Sequence, residues 1–156
     1  MDELTKSESG NLVKIIAAAI QLPGVKVNRE NFLLNTFKDE SVTTRNRILE
    51  QGPVKAGIGR RKLERLAEQI INTRTIASST MSFAAGLPGG LAMAATIPAD
   101  TLQYFGAALR LAQELSYLYG EEDLWIDGAV NMERVTNRLV VYCGVMFGVS
   151  GASAAV

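Results

Sequence analysis

Apolar side chains recur along the chain at the spacing of a helix face, and no useful stretch alternates at the period of two that indicates a strand. The clearest amphipathic segment runs from Arg60 to Ala77, where charged residues lie on the face opposite the apolar ones. The pattern predicts an all-α protein, a multi-helix bundle. Further helices are predicted at Asn11–Gln21, at Asn28–Phe37, from Ser41 or Thr43 to Gly52, and at Pro98–Tyr119.

Polar residues and glycines mark the ends of these predicted helices. Asn28, Ser41 or Thr43, and Thr96 are candidate N-caps, and Gly120 is a typical stop for the last helix. The face of the Arg60–Ala77 helix that is predicted to be buried comprises Leu63, Leu66, Ala67, Ile70, Ile71 and Ala77.

Two stretches of the chain carry no charge. The first, Thr75–Ala99, is 25 residues long and is followed by Asp100. Proline and glycine interrupt it, so we predict a broken apolar hairpin of two half-helices around a tight turn that contains Gly86, Pro88, Gly89 and Gly90. The second, Leu139–Val156, is 18 residues long, near the lower bound for spanning a bilayer. Its small residues predict close helix packing and self-association through Gly144, Gly148 and Ala152.

A narrow polar stripe follows the predicted helix Pro98–Tyr119, and its candidate functional residues are Asp100, Gln103, Arg110 and Glu114. Asp100 lies in the first turn, where the helix dipole favours a carboxylate. Arg110 is one turn from Glu114 and can pair with it, whereas Asp100 lies about 15 Å from Arg110 along the axis. The stripe predicts a polar seam at the surface or between helices. A sharper hypothesis is that Asp100 fixes the register of neighbouring helices, or binds an amine or a cation.

Composition excludes several kinds of chemistry. There is no histidine, so Ser-His-Asp and Cys-His catalysis and imidazole metal sites are excluded. The single cysteine, Cys143, forms neither an internal disulfide nor a thiolate cluster. The sequence predicts no catalytic residue, no metal and no cofactor; a hydrolase based on Asp100 is a weaker alternative. With 16 basic and 16 acidic residues the net charge is zero, and no nucleic-acid partner is predicted.

Basic residues concentrate between Arg45 and Arg74, where eight of them accompany three acidic residues directly before the first uncharged stretch. This arrangement is typical of the cytoplasmic flank of a membrane-entering hairpin, and also of a solvated helix face beside a buried core helix. The N-terminus lacks the basic region of a signal peptide. We therefore expect a cytoplasmic protein, peripheral to or inserted in the inner face of the cell membrane.

Four pieces of sequence, in their order and spacing, resemble the EcsC family of bacterial proteins: Gly86-Leu-Pro-Gly-Gly90, Thr96-Ile-Pro-Ala-Asp100, Arg110 and Leu118-Tyr-Gly120. The resemblance covers roughly residues 75–125, and the upstream text Leu22-Pro-Gly-Val and Arg29-Glu-Asn-Phe-Leu is similar to a Gram-positive branch of the family. It implies an all-helical, membrane-associated bacterial protein of undefined biochemical activity. Asp100 and Arg110 match the family's characteristic Asp and Arg, to which no catalytic role is attached. Because family members usually continue past the equivalent of Val156, the chain is expected to be a fragment.

We expect a single helical domain over residues 1–156, truncated at its C-terminal end, with N-terminal helices in 1–58 and core helices in 59–156. The expected function is that of a membrane-associated scaffold or accessory, with membrane lipid or a membrane protein complex as partner. The alternative is a soluble helical domain that binds a lipid or small amphiphile in an apolar pocket, its head group fixed by Asp100 or Arg110. That pocket is expected to be lined by Met81, Phe83, Met93, Tyr104 and Phe105.

Overall fold

The computed structural model describes residues 14–80, 97–125, 138 and 141, with side chains in the first range described as far as residue 74. These residues form helices and contain no strand, which confirms the predicted all-α class. In chain order the helices are α1 (residues 14–20), α2 (Arg29–Thr36), α3 (Val42–Gln51), α4 (Arg60–Thr80) and α5 (Ala99–Leu118).

Residues at the N-termini of three helices explain where these helices start. The Asn28 side chain accepts a hydrogen bond from Asn31 N at 2.8 Å, which confirms Asn28 as an N-cap. The Ser41 side chain accepts one from Thr44 N at 3.2 Å, so Ser41, and not the alternative Thr43, caps α3. The predicted cap of α5 is wrong: Pro98, and not Thr96, occupies the N-cap position, and the helix begins at Ala99. A residue that precedes proline is disfavoured in helical geometry, so the helix cannot start upstream of Pro98.

Helix α5 is the centre of the bundle. α4 packs along it, and α2 packs against both α3 and α5. The described residues form two apolar cores, and α5 contributes to each. One joins α5 to α1 and the 21–28 connector through side chains that include Ile16, Ile20, Val25, Leu102, Leu109 and Tyr117. The other joins α5 to α2, α3 and α4 through Leu33, Phe37, Ile48, Leu63, Ala67 and Leu118. Each core therefore combines residues from the 1–58 part of the chain with residues from the 59–156 part.

The buried face of α4 is narrower than predicted. Leu63 and Ala67 are buried and Ile70 packs partly against the same core, but Ile71 is 40% exposed. Successive residues on a helix differ by about 100° in direction, so Ile71 lies at the outer edge of the face that Ile70 presents to α5.

Several predicted features lie outside the described residues. They are the tight turn with Gly86, Pro88, Gly89 and Gly90, and the small-residue stripe with Gly144, Gly148 and Ala152. None of the helices in the described part of the chain combines the length and the apolar character needed to cross a bilayer.

Candidate functional site

A buried carboxylate lies between two guanidinium groups where α4 meets α5. The side chain of Glu114 on α5 is 1% exposed. Arg74 on α4 donates from Nε to Oε2 at 2.8 Å and from Nη2 to Oε1, while Arg110 donates from Nε to Oε1 at 3.1 Å. The expected pairing of Arg110 with Glu114 is thus confirmed. A buried charge is tolerable only when it is paired and hydrogen-bonded, and these donors meet that requirement.

Sequence spacing explains why Arg74 faces α5. It continues the inner stripe of α4 that begins with Leu63, Ala67 and Ile70, at intervals of four, three and four residues. A charged residue at the end of an apolar stripe points into a helix interface, where it needs a partner of opposite charge. Glu114 supplies that charge from the facing helix.

Arg110 also ties α5 to the connector between α1 and α2. Its Nη1 donates to the carbonyl oxygen of Gly24, which lies 86 positions earlier in the chain. Gly24 has a φ of 81°, a left-handed backbone conformation that favours glycine. The same guanidinium therefore neutralises Glu114 and holds the connector.

Gln113 is the second polar anchor of α5, and it is fully buried. Its amide nitrogen donates to Val25 O and Leu109 O, both at 2.9 Å. Its amide oxygen accepts from Val27 N at 3.1 Å and from Trp125 Nε1 at 2.8 Å. Two donors and two acceptors exhaust the hydrogen-bonding capacity of the side chain, so the amide is completely satisfied.

An open cleft of about 500 Å³ lies beside the Arg74–Glu114–Arg110 cluster. The 26–28 connector, α2, α4 and α5 all contribute to its lining. Its apolar side chains are Val27, Phe32, Leu66 and Ile70. Its charged residues are Lys26, Arg74 and Arg110 against Glu114, so the positive charges outnumber the negative one by three to one. A volume of this size is ordinary for a small-molecule site.

The structure places the four predicted stripe residues in different environments. Asp100 is exposed in the first turn of α5, and Gln103 is half-buried. Only Arg110 and Glu114 reach the cleft. Sequence reasoning missed Arg74 and Gln113. Each is a polar residue at a position where the helical spacing predicts an apolar one, and this feature of the sequence could have indicated a buried polar contact.

Two of the five residues expected to line an apolar pocket, Tyr104 and Phe105, lie within the described part of the chain. Tyr104 is 57% exposed, whereas Phe105 packs partly against the core formed with α1. The two rings meet edge to face, with their centroids 5.9 Å apart. Met81, Phe83 and Met93 lie outside the described residues.

Within the described ranges, no group of three or more Cys, Asp or Glu side chains is arranged to hold a metal ion. Comparison with protein-family models, with curated proteins and with solved structures finds no match for this chain.

Proposed function

We propose that this protein is a non-enzymatic helical scaffold or accessory of the inner face of a bacterial membrane, related to the EcsC family. The observation that carries the proposal is the continuity of α4. This helix begins among exposed basic residues at Arg60 and extends without a break into the first uncharged stretch, as far as Thr80. A basic surface joined rigidly to an uncharged segment is the arrangement that places cations at lipid head groups and apolar residues beyond them.

The exposed charges support a surface role with a modest electrostatic contribution. Over residues 45–74 the exposed basic side chains are Arg47, Lys55, Arg60, Arg61 and Arg65, and the exposed acidic ones are Glu50, Glu64 and Glu68. A basic residue near an anionic leaflet contributes about 1 kcal/mol to membrane binding. An excess of two positive charges therefore attracts the protein to the surface but binds it only weakly. The uncharged stretches would supply the anchoring through apolar contact with lipid or with a membrane protein.

Flotation with vesicles tests the proposal directly. The intact chain is mixed at low salt with phosphatidylcholine vesicles, with or without phosphatidylglycerol. We expect it to float with the anionic vesicles and to be partly released by salt, because screening weakens only the basic contacts. Complete recovery of the protein in the soluble fraction at low salt would contradict the proposal.

Two sets of variants separate the electrostatic and apolar contributions. Arg61→Glu with Arg65→Glu should weaken binding to anionic vesicles by at least about tenfold, since each basic residue contributes about 1 kcal/mol. Lys14→Glu with Lys38→Glu is the matched control: these exposed lysines lie outside the basic segment, and the change in net charge is the same. Leu91→Lys puts a charge into the first uncharged stretch and should reduce binding to both kinds of vesicle.

The uncharged stretch Leu139–Val156 is proposed to contact a second helix, in another copy of the chain or in a membrane complex. Its residues Gly144, Gly148 and Ala152 recur every four positions, a spacing that permits close helix approach. Gly148→Leu should prevent that approach and reduce cross-linked species in vesicles, whereas Val145→Leu is the control outside the stripe.

A further inference from the structure

The cleft beside α2, α4 and α5 has a surplus of positive charge at its base. Two guanidinium groups, from Arg74 and Arg110, share the single carboxylate of Glu114. Their side chains are 35% and 33% exposed, whereas Glu114 is 1% exposed, so the carboxylate is covered and the cations face outwards. The cluster is neutralised on its buried side and positively charged on its open side.

The two arginines retain donors beyond those that Glu114 uses. Arg74 binds the carboxylate through Nε and Nη2, and Arg110 uses Nε for Glu114 and Nη1 for Gly24. Among the described residues, Nη1 of Arg74 and Nη2 of Arg110 have no hydrogen-bond acceptor. Guanidinium groups present planar pairs of donors that match the oxygens of a carboxylate or a phosphate.

The walls of the cleft suit such a ligand. The apolar side chains of Phe32, Leu66 and Ile70 lie in the same lining as the arginines, and they lower the local dielectric and strengthen attraction to an anion. Uncharged polar side chains, among them Asn31 on α2 and Thr73 on α4, also line the cleft, and the lining contains no acidic residue except Glu114.

We propose that this cleft is a binding site for a small molecule or lipid head group that carries an oxyanion group, either a carboxylate or a phosphate. Arg74 and Arg110 bind that group. The site goes beyond the proposed membrane role, since it requires neither uncharged stretch. The arginines bind the oxyanion, and the apolar wall packs against the adjoining part of the ligand. The site also differs from the apolar pocket predicted around Tyr104, with which it shares only Arg110.

The only tryptophan, Trp125, offers a spectroscopic signal for binding. Lys26 lines the cleft, and its Nζ lies 5.1 Å from the centre of the Trp125 ring. Titration of the full chain with inorganic phosphate, and separately with sodium hexanoate, should change Trp125 fluorescence in a saturable manner. Sodium chloride at matched ionic strength should produce no saturable change.

Two acidic substitutions, on two different helices that line the cleft, test the site without replacing a residue of the buried cluster. Asn31→Asp and Thr73→Asp should each weaken phosphate binding by about tenfold, the effect of one like charge at a partly solvated site. Asn46→Asp on α3 is the matched control, since its side chain is exposed and does not line the cleft. Equal affinities for Asn31→Asp, Thr73→Asp and Asn46→Asp would overturn the proposal.

Vesicles distinguish the two sources of the oxyanion. A response to phosphate or hexanoate identifies a soluble ligand. A response only to vesicles containing phosphatidylglycerol, reduced by Asn31→Asp, identifies a lipid head group. The absence of every response would overturn the cleft proposal. Vesicle flotation that Asn31→Asp leaves unchanged would still support the membrane proposal, so the two proposals can fail separately.

Discussion

The guanidinium of Arg74 on α4 donates hydrogen bonds to both carboxylate oxygens of Glu114 on α5, although the two residues lie 40 positions apart in the chain. Glu114 is almost completely covered, and its second partner, Arg110, lies one turn earlier on the same helix. The pair therefore fixes how α4 lies along α5. It also sets the charge at the base of the cleft.

Removing Arg74 should destabilise the fold. In Arg74→Met the carboxylate of Glu114 keeps only Arg110, and we expect a loss of about 2–3 kcal/mol in the free energy of unfolding. This is less than the 3–5 kcal/mol typical of a fully buried broken pair, because Arg74 is about one-third exposed. Urea unfolding measures the change.

A double variant and a control variant test whether the loss comes from the buried ion pair. Glu114→Leu combined with Arg74→Met should recover much of the stability, because the buried carboxylate is then gone. Arg110, which loses that partner, is one-third exposed to water and keeps its hydrogen bond to Gly24 O. Arg60→Met is the control for losing an arginine on α4, since Arg60 pairs with Glu64 at the surface. A similar loss in Arg60→Met and Arg74→Met would show that the buried pair has no special role.

Replacing Gln113 should lower the free energy of unfolding about as much as replacing Arg74. Gln113→Leu has a similar size but leaves Val27 N and Trp125 Nε1 without their acceptor. Each buried donor left unpaired costs about 1–3 kcal/mol, so we expect a total of about 3 kcal/mol and a shift in Trp125 fluorescence. Gln69→Leu, at an exposed position on α4, is the control and should change the stability little.

The contacts of Glu114 and Gln113 show which parts of the structure could be predicted from the sequence. The starts of α2 and α3 were predictable because Asn28 and Ser41 act on backbone groups three residues away. The pairing of Arg110 with Glu114 was predictable for the same reason. The partner of Arg74 was not, because local spacing carries no information about which helix packs against which.

Gln113 illustrates a different obstacle. Its position on α5 could be recognised as buried, but three of its four partners come from residues 25–27 and 125, which no periodic pattern brings to this helix. The cleft was missed for the same reason, since its walls come from a connector and three helices. Asp100 stands out in the sequence by its charge beside the uncharged stretch, and the structure shows that its side chain is exposed.

The junction between the ends of α3 and α5 should tolerate no side chain at Gly52. Gly52 has a φ of 83°, and a Cβ added there would lie 2.9 Å from the Cα of Gly120. Gly52→Ala should therefore cost more than the 1–3 kcal/mol of backbone strain alone. Gly57→Ala is the matched control, because Gly57 has a φ of 88° with open space around it. Equal thermal stabilities of the two variants would argue against the close contact.

Asp100→Asn should change stability only slightly. Asp100 is exposed in the first turn of α5, where a carboxylate interacts with the helix dipole. Loss of that interaction should cost about 0.3–1 kcal/mol, and the cost should shrink as salt is added. A loss several times larger would indicate that Asp100 is buried against another part of the chain and acts as a structural ion pair.

Alkaline pH should destabilise the fold through Tyr117. This tyrosine is fully buried, its hydroxyl donates to Asp123 Oδ1 at 3.3 Å, and the hydroxyl oxygen accepts from Leu124 N at 3.3 Å. Burial raises the pKa of Tyr117 well above its usual value, because the charged phenolate is poorly solvated there. The folded state therefore holds the phenolic proton more tightly than the unfolded chain does.

The sign of the pH effect follows from this difference in proton affinity. The stability that comes from the neutral phenol is fully present below about pH 10, the tyrosine pKa in an unfolded chain, and is lost as the pH rises beyond it. Each pH unit above 10 should remove up to about 1.4 kcal/mol. Urea unfolding at several alkaline pH values should show this slope in the native chain and in the Tyr119→Phe control, whose ring is half exposed. Tyr117→Phe should be about 1 kcal/mol less stable at neutral pH but should lack this slope, so an unchanged slope in that variant would exclude Tyr117 as its origin.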